Sequence, residues 1–514
     1  MAAASISARR AALAGGFAAA ARAHAADLGA SVFVFAAASL MAGRVWRFPF
    51  DDEIYTLTII DRLSPLQLLT LYPARFDVHP PLSYLLFSAL SHLGVGEAGM
   101  RLASLSLTAL AVALFHLLTL MLLAERRRGD MRPASRLIAV VLFGLCPLAV
   151  SQGDALRWYP LFAALFAIFI TLYLTAANDA TRLWAAAALG LAGATNLLAA
   201  PVALALALHR YALEKRFAWR FDAAFWLIAL ASGGLGLYSA GGLIVARSAE
   251  IATQLGNGIA RAALTDALGF FGGAALGVSQ SWIVVPVLVV CALALAASLE
   301  RTRVAAALHL LLLMLAAAAL TILPGFAKPR SFLYLAPVMT LFVVLYLDAL
   351  LRRGEVRGAL AGLAMMTAAS VAAIANVAHN THPFKRNAVI PYQAILDFID
   401  ANATGRVLVA TTDPVLPWLV NRRGHDGCGG ELPAVRPCLA GGRTYDSLVI
   451  VRGYNDKSGN AAVLRRVDAR VGELTAGRRK LASFAAGRDE DAALKSWLTG
   501  IALDPVILTV DVYR

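Results

Sequence analysis

Charged residues are scarce in this chain, and that scarcity limits its fold class. Asp, Glu, Lys and Arg make up 15% of the 514 residues, while hydrophobic residues make up 59%. Ordinary soluble domains are about 25% charged and about half apolar, so the composition excludes a water-soluble globular protein. It also excludes an intrinsically disordered chain, which would need low hydrophobicity.

Several common signatures are missing as well. The chain shows no internal repeat, although many transporters are built from repeated halves. Its polar C-terminal part contains no nucleophile elbow, P-loop or dinucleotide-binding fingerprint. The net charge is +14, but no basic run is interleaved with base-stacking aromatic residues, which argues against nucleic acid as a partner. In a membrane protein such an excess of Lys and Arg is typical of cytoplasmic loops.

The charges that are present are unevenly distributed. Residues 385–514 contain 18 Lys and Arg and 14 Asp and Glu, about a quarter of that segment, while residues 1–384 contain 46 charged residues, about 12%. This predicts a membrane bundle over 1–384 and a small soluble α/β domain over 385–514. Strand-like runs lie at 407–410, 448–451 and 505–512, and helical spacing at 391–402, 458–474 and 489–499.

The apolar runs are long enough to cross a bilayer, which takes about 20 residues in a helix. If basic connections are cytoplasmic, residues 183–209 must form a hairpin of two short helices, and residues 82–98 must be a helix at the outer face. A single long helix over 183–209 would instead reverse the predicted orientation of all the segments that follow it. The runs lie near 28–46, 101–123, 137–151, 160–177, 183–209, 222–245, 276–298, 304–323, 331–351 and 358–378.

The prediction is therefore a polytopic α-helical membrane protein with about 11 transmembrane helices. The N-terminus is expected in the cytoplasm and the C-terminal domain on the outer side of the membrane. The outer loops are then 47–100, 152–159, 246–275 and 324–330, and the chemically interesting residues fall mostly in these loops.

Three consecutive carboxylates, Asp51, Asp52 and Glu53, follow directly on the first transmembrane helix. Carboxylates beside hydrocarbon are costly unless they have a role or a partner. Their mutual repulsion should raise at least one pKa, which is how a general base is adjusted toward neutral pH. The alternative is an acidic cluster that stabilises the start of the following helix through its dipole. The sequence alone favours neither the general base nor the structural role.

A second outer motif contains Asp77 and His79, followed by Pro80 and Pro81. Pro81 suits the first turn of a helix, so a helix is expected to begin there. Asp77 and His79 would then stand at a helix N-terminus, where anions are bound readily. A histidine there could donate hydrogen bonds to a phosphate, with an adjustable charge. The alternative is a simple polar turn.

Two further outer segments carry cations that run against the positive-inside trend. Arg157 lies between apolar stretches, and arginine is suited to forked binding of phosphate. Lys328 and Arg330 indicate an anionic ligand on the same side. The alternatives are an interfacial aromatic belt at Trp158 and Tyr159 and contact with lipid headgroups. The candidate residues of these segments are Arg157, Tyr159, Lys328, Arg330 and Tyr334.

Together these residues match glycosyl transfer from a lipid-phosphate sugar. A carboxylate would take the proton from an acceptor hydroxyl, the hydroxyl would attack the anomeric carbon, and cations would hold the departing phosphate. The competing hypothesis is a polytopic transporter or lipid flippase. Transporters, however, place charged sites at mid-membrane depth, whereas the charges here lie at span ends.

The order of these motifs resembles the C-type glycosyltransferase (GT-C) superfamily, in its protein O-mannosyltransferase and lipid A aminoarabinose-transferase branch. The resemblance covers roughly residues 28–350. Its carriers are Asp52-Glu53, His79-Pro80-Pro81-Leu82, Arg101-Leu102-Ala103-Ser104, Ser151-Gln152 through Arg157-Trp158-Tyr159, and Pro329-Arg330 through Tyr334.

The resemblance implies an inverting transferase that uses a polyprenyl-phosphate sugar at the periplasmic face of a bacterial inner membrane. The acceptor is not carried over from the resemblance, and the hypothesis leaves it open among a lipid, a glycan and a protein of the cell envelope. Asp52 would be the base with Glu53 in support, and Arg157 and Arg330 would contact the donor phosphate. Two departures stand out. His79 replaces a lysine that is frequent in the family, and the extra Asp51 leaves the base open between Asp51 and Asp52.

Two cysteines of the C-terminal domain, Cys428 and Cys438, are predicted to form a disulfide, because an even pair in an oxidising compartment is typically bridged. The alternative is two free thiols. Their spacing is not that of a metal site. Carboxylates beside an anionic donor could hold a divalent cation, although no ligand spacing in the chain demands one.

Overall fold

The chain divides into two compact units. One comprises Met1–Trp46 and Thr56–Ala378, and the other comprises Arg47–Tyr55 and His379–Arg514. A computed structural model describes residues 17, 19–43, 45, 51–70, 79–126, 132–176, 178–238, 307, 309–314, 333–378, 390–411, 413, 415–429, 444–452, 461–488 and 506–514.

Helices dominate the described part of residues 25–378, and the boundary between the units falls inside the second helix. A π-helical turn, Leu208–Leu213, follows α10. The helices are α1 (Ala25–Met41), α2 (Asp51–Arg62), α3 (Pro65–Thr70), α4 (Leu82–His92), α5 (Glu97–Arg126), α6 (Pro133–Gly144), α7 (Pro147–Gln152), α8 (Trp158–Thr175), α9 (Asp179–Thr195), α10 (Ala199–Ala207), α11 (Trp219–Ser232), α12 (Ala336–Arg352) and α13 (Val356–Ala378).

Many of these helices are apolar enough for a bilayer. Within the described ranges, four segments are long and apolar enough to cross one: Glu97–Glu125, Pro133–Val150, Trp158–Thr175 and Leu333–Arg352. Shorter apolar helices cover Ala25–Met41, Ala199–Leu213 and Val356–Ala368. The mostly helical, apolar architecture expected from composition is thus present. The predicted run at 276–298 and most of that at 304–323 lie outside the described residues, so the count of 11 stays a prediction.

Prolines set several helix boundaries. Pro81 is the N-cap of α4, which therefore begins where the sequence predicts. The helix ends at His92, not at 98, and Gly94 in the following turn adopts a positive φ of 77°. Pro147 opens α7, and its missing N–H removes one bond of a continuous helix. The predicted run 137–151 is accordingly divided into α6 and α7.

The apolar run 183–209 is interrupted near Asn196, as the sequence indicates. Helix α9 begins after Asn178, whose side-chain oxygen accepts a hydrogen bond from the Thr181 N–H, a typical N-cap. It ends at Thr195, and the side chain of Asn196 then accepts a hydrogen bond of 2.9 Å from the Leu198 N–H. Helix α10 starts at the next residue.

Ion pairs and hydrogen bonds join three helices at one end of the bundle. Ser135 near the start of α6 donates to Asp348 near the end of α12, at 2.7 Å, and Asp348 also pairs with Arg352 at 3.1 Å. Arg136 of α6 pairs with Asp27 near the start of α1, at 2.8 Å. The start of α1, the start of α6 and the end of α12 therefore lie together. These are the ends that the charge pattern assigns to one side of the membrane.

In the described part of the second unit, five strands form a mixed sheet in the order β2-β1-β3-β5-β4. Strand β1 pairs in parallel with β2 and β3, while β5 runs antiparallel to β3 and β4. The elements are α14 (Tyr392–Asn402), β1 (Val407–Thr411), α15 (Leu416–Arg422), β2 (Asp426–Gly429), β3 (Ser447–Arg452), α16 (Ala461–Thr475), β4 (Lys480–Arg488) and β5 (Val506–Tyr513).

Both faces of this sheet are covered, as expected for inner parallel strands, which are apolar on both faces. On one face, Val409 and Val449 pack with Ile395 of α14. On the other, Leu408 and Ile450 pack with α16. Three strands lie where the sequence indicates them, but β2 and β4 were missed, because neither contains a β-branched residue. The predicted helix 489–499 lies outside the described residues.

Strand β2 carries one of the two cysteines of the predicted bridge. Cys428 is buried and is disulfide-bonded. The residue predicted at the other end, Cys438, lies outside the described residues, so the specific pairing stays a prediction.

Candidate functional site

The guanidinium of Arg157 is the centre of a buried polar cluster in the first unit. Arg157 is only 5% exposed. Its Nη1 donates to the Tyr84 hydroxyl at 3.1 Å and to the Thr56 hydroxyl at 3.5 Å. Its Nη2 lies 3.4 Å from Nδ1 of His79. Two site residues predicted from separate outer loops, Arg157 and His79, are therefore in contact.

Each of these side chains is presented by a helix end. Arg157 is the N-cap of α8 and has an extended backbone, with φ −138° and ψ 177°. His79 precedes the two prolines that start α4, and Tyr84 lies in the first turn of that helix. Thr56 lies on the middle of α2. The starts of α4 and α8 thus bring His79 and Arg157 together.

His79 lies beside a permanent cation, since Nη2 of Arg157 is 3.4 Å from its Nδ1. A guanidinium has only donors, so a hydrogen bond between the two groups uses the lone pair of Nδ1 and the tautomer with its proton on Nε2. The adjustable charge expected for this histidine stays a prediction.

Aromatic rings connect this cluster with the start of α12. His79 stacks on Trp158, with ring centroids 5.6 Å apart. Trp158 meets Phe162 edge to face at 5.7 Å, and Phe162 meets Tyr334 in the same way at 4.9 Å. Trp158 and Tyr159 are 2% and 3% exposed. An interfacial, lipid-facing belt at these two residues is therefore excluded.

The loop that delivers Arg157 is itself held against α5. Arg101 near the start of α5 forms a fully buried ion pair with Asp154, with Nη1 and Oδ2 at 3.7 Å. The Thr108 hydroxyl donates to the Gly153 carbonyl at 3.0 Å. A Cβ on Gly153 would lie 2.4 Å from the Ala149 carbonyl oxygen, so only glycine fits. Two motifs of the predicted family, around Arg101 and around Arg157, therefore pack together.

The acidic cluster opens helix α2, which begins at Asp51. Glu53 is fully buried, and its neighbour Ile54 packs against the core of the α/β domain within the second unit. The side chains of Asp51 and Asp52 lie outside what the structure describes. The position of the three acids in a first helical turn agrees with a favourable helix dipole, and it is equally compatible with a general base.

Several predicted site residues lie outside the described residues: Asp77, Lys328, Arg330 and Cys438. Within the described ranges, no group of three or more His, Cys, Asp and Glu could hold a metal ion. The sequence interpretation missed Tyr84 and Thr56 as partners of Arg157. Both are ordinary polar positions in helices, and nothing in their local sequence distinguishes them.

No family model matches the chain, and no curated protein matches it. Among solved structures, the crystal structure of ArnT from Cupriavidus metallidurans bound to undecaprenyl phosphate matches with a TM-score of 0.54 at 12% identity, over 96% of this chain and 98% of that one. The chain has the fold of ArnT. The resemblance predicted from the sequence is thereby confirmed as far as the fold.

Two further structures align with lower scores. ArnT from the same organism in the apo state matches at 15% identity and a TM-score of 0.43, over 93% of this chain and 97% of that one. The mycobacterial arabinofuranosyltransferase AftD (R1389S mutant) matches at 17% identity and a TM-score of 0.38, over 96% of this chain and 41% of that one. At these scores neither bears on the fold.

Proposed function

We propose that the chain is an inverting glycosyltransferase that moves a sugar from a polyprenyl-phosphate donor to a hydroxyl of a cell-envelope lipid, glycan or protein. The observation that carries this proposal is the contact of Arg157 with His79 in one buried cluster. Arginine and a histidine N–H together suit a phosphate. The fold of ArnT, whose crystal structure contains undecaprenyl phosphate, supports the same donor class.

The reaction needs one proton transfer and one displacement. A carboxylate, Asp52 or Asp51 with Glu53 in support, takes the proton of the acceptor hydroxyl. The hydroxyl oxygen bonds to the anomeric carbon from the face opposite the phosphate, and the bond from that carbon to the phosphate oxygen breaks. The electron pair stays on the polyprenyl phosphate. The configuration at the anomeric carbon is therefore inverted.

The leaving phosphate gains negative charge as its bond to the sugar breaks, and fixed donors stabilise that charge. Arg157 is proposed to supply a forked pair of N–H groups, and His79 a ring N–H. Lys328 and Arg330 are proposed to complete the cationic site. The proposed substrate contacts are Asp77, Tyr159 and Tyr334.

We propose an inner-membrane topology of 11 spans, with the catalytic loops and residues 385–514 in the periplasm. The ion pairs that join α1, α6 and α12 at one end support the assignment of their basic ends to one side. A periplasm-active reporter fused after residue 380 is expected to be active, and a cytoplasm-active one silent. The reverse result would overturn the orientation.

Transfer is tested directly with purified full-length protein in detergent. Radiolabelled polyprenyl-phosphate sugars are supplied with an envelope extract, and labelled lipid, glycan and protein fractions are separated. We expect label in one fraction and release of polyprenyl phosphate in equal amount. If labelled donor instead crosses the membrane of proteoliposomes unchanged and no transfer occurs, the chain is a flippase.

A further inference from the structure

The ion pair between Arg101 and Asp154 is almost completely shielded from solvent. Their side chains are 1% and 0% exposed. Taking two charges out of water is costly. Apolar residues of similar volume in place of a buried ion pair often stabilise a protein equally well or better. The best-attested use of a buried pair is to fix one arrangement among alternatives.

The arrangement that this pair fixes is the segment between α7 and α8. It is attached to α5 at two points: the Gly153 carbonyl accepts from Thr108, and Asp154 pairs with Arg101. Ala155 and Leu156 are fully buried. Arg157 comes next and begins α8. The orientation of its guanidinium therefore depends on a short segment whose position is set by α5.

We propose that Arg101 and Asp154 are positioning residues that hold Arg157 in place for the donor phosphate. The inference rests on the proposed function and names the part of the chain that sets donor affinity. Neither residue needs to touch the donor. Their effect passes through the two buried residues between Asp154 and Arg157, and a misplacement of about 1 Å can lower a rate by about 10²-fold.

A second buried ion pair provides a matched control. Arg210 and Asp222 lie 2.7 Å apart with side chains 10% and 5% exposed. Arg210 also hydrogen-bonds Tyr173, near the end of α8. Tyr173 is sixteen residues from Arg157 on the same helix, about 24 Å at 1.5 Å per residue. Breaking this pair should affect stability without reaching the phosphate site.

The experiment compares Asp154→Asn with Asp222→Asn in the purified full chain. Binding of undecaprenyl phosphate is measured by titration calorimetry in detergent, and thermal unfolding is measured in parallel. We expect both variants to unfold at lower temperature. The Kd should rise about tenfold or more for Asp154→Asn and less than twofold for Asp222→Asn, with both measured well below their unfolding temperatures. In the transfer assay, KM for the donor should rise for Asp154→Asn alone.

Two substitutions at Arg101 separate an effect on the position of Arg157 from an effect on folding. Arg101→Lys keeps the charge and should restore much of the binding lost in Arg101→Gln, and this comparison decides the matter if Asp154→Asn does not fold. Wild-type binding by Asp154→Asn, or equal losses in Asp154→Asn and Asp222→Asn, would overturn the positioning role. If the wild-type chain neither binds undecaprenyl phosphate nor transfers sugar, the proposed function fails instead.

Discussion

Replacing both Asp51 and Asp52 with Asn is expected to reduce sugar transfer by about 10²- to 10⁴-fold, the usual contribution of a general base. The amide cannot accept the acceptor's proton at neutral pH, while its size is nearly that of the carboxylate. Transfer is measured with purified protein at saturating donor. The single variants then identify the base, because only one of them should approach the loss of the double variant.

The same helix offers a control for this experiment. Asp61 is an exposed carboxylate on α2, and Asp61→Asn should leave transfer within about twofold of wild type, as is usual for surface substitutions. Binding of undecaprenyl phosphate should be retained in the Asp51/Asp52 variant, since the base acts on the acceptor. Full transfer by a folded double variant would exclude both aspartates as the base. It would favour the purely structural interpretation of the acidic cluster.

The secondary structure was predictable where one local signal dominated. Pro81 and the apolar run after it specified the start of α4, and the β-branched runs specified β1, β3 and β5. The short strand β2 carries no such signal. It forms because Gly427 allows close packing against α15, where a Cβ would lie 2.4 Å from the Pro417 carbonyl oxygen. Such tertiary contacts cannot be read from local sequence.

The candidate site was predictable in part, for a related reason. Arg157 and His79 stood out because charged or titratable residues beside apolar spans are costly and mark function. Their pairing was not visible, since they are 78 positions apart and only the fold brings Nη2 within 3.4 Å of Nδ1. The hydroxyl of Tyr84 has no distinguishing context in the sequence. Its role depends entirely on the distance to the Arg157 guanidinium.

The difference between Arg157 and His79 lies in the permanence of their charge. Arginine is always protonated in proteins, whereas histidine is the side chain whose charge changes near neutral pH. Among the described residues, Arg157 is therefore the one proposed phosphate contact that carries a permanent charge, and it should dominate donor binding.

Arg157→Gln is accordingly expected to lower transfer by about 10²- to 10³-fold, the cost of removing one fixed donor to a developing negative charge. The Kd for undecaprenyl phosphate should rise together with KM for the donor. Arg157→Lys should recover only part of the loss, because an ammonium cannot reproduce the forked contact. Tyr84→Phe should have a smaller effect, since it removes one neutral partner of the guanidinium.

The control for this prediction is Arg353→Gln, because Arg353 is an exposed arginine just after α12. This substitution removes the same charge, but at the end of α12 that lies away from Tyr334. The Kd for the donor should therefore be unchanged. Measuring both variants at two salt concentrations separates a local contact from a general field, which salt screens over about 10 Å. If Arg157→Gln binds donor like wild type, the phosphate lies elsewhere, and Lys328 and Arg330 become the next residues to test.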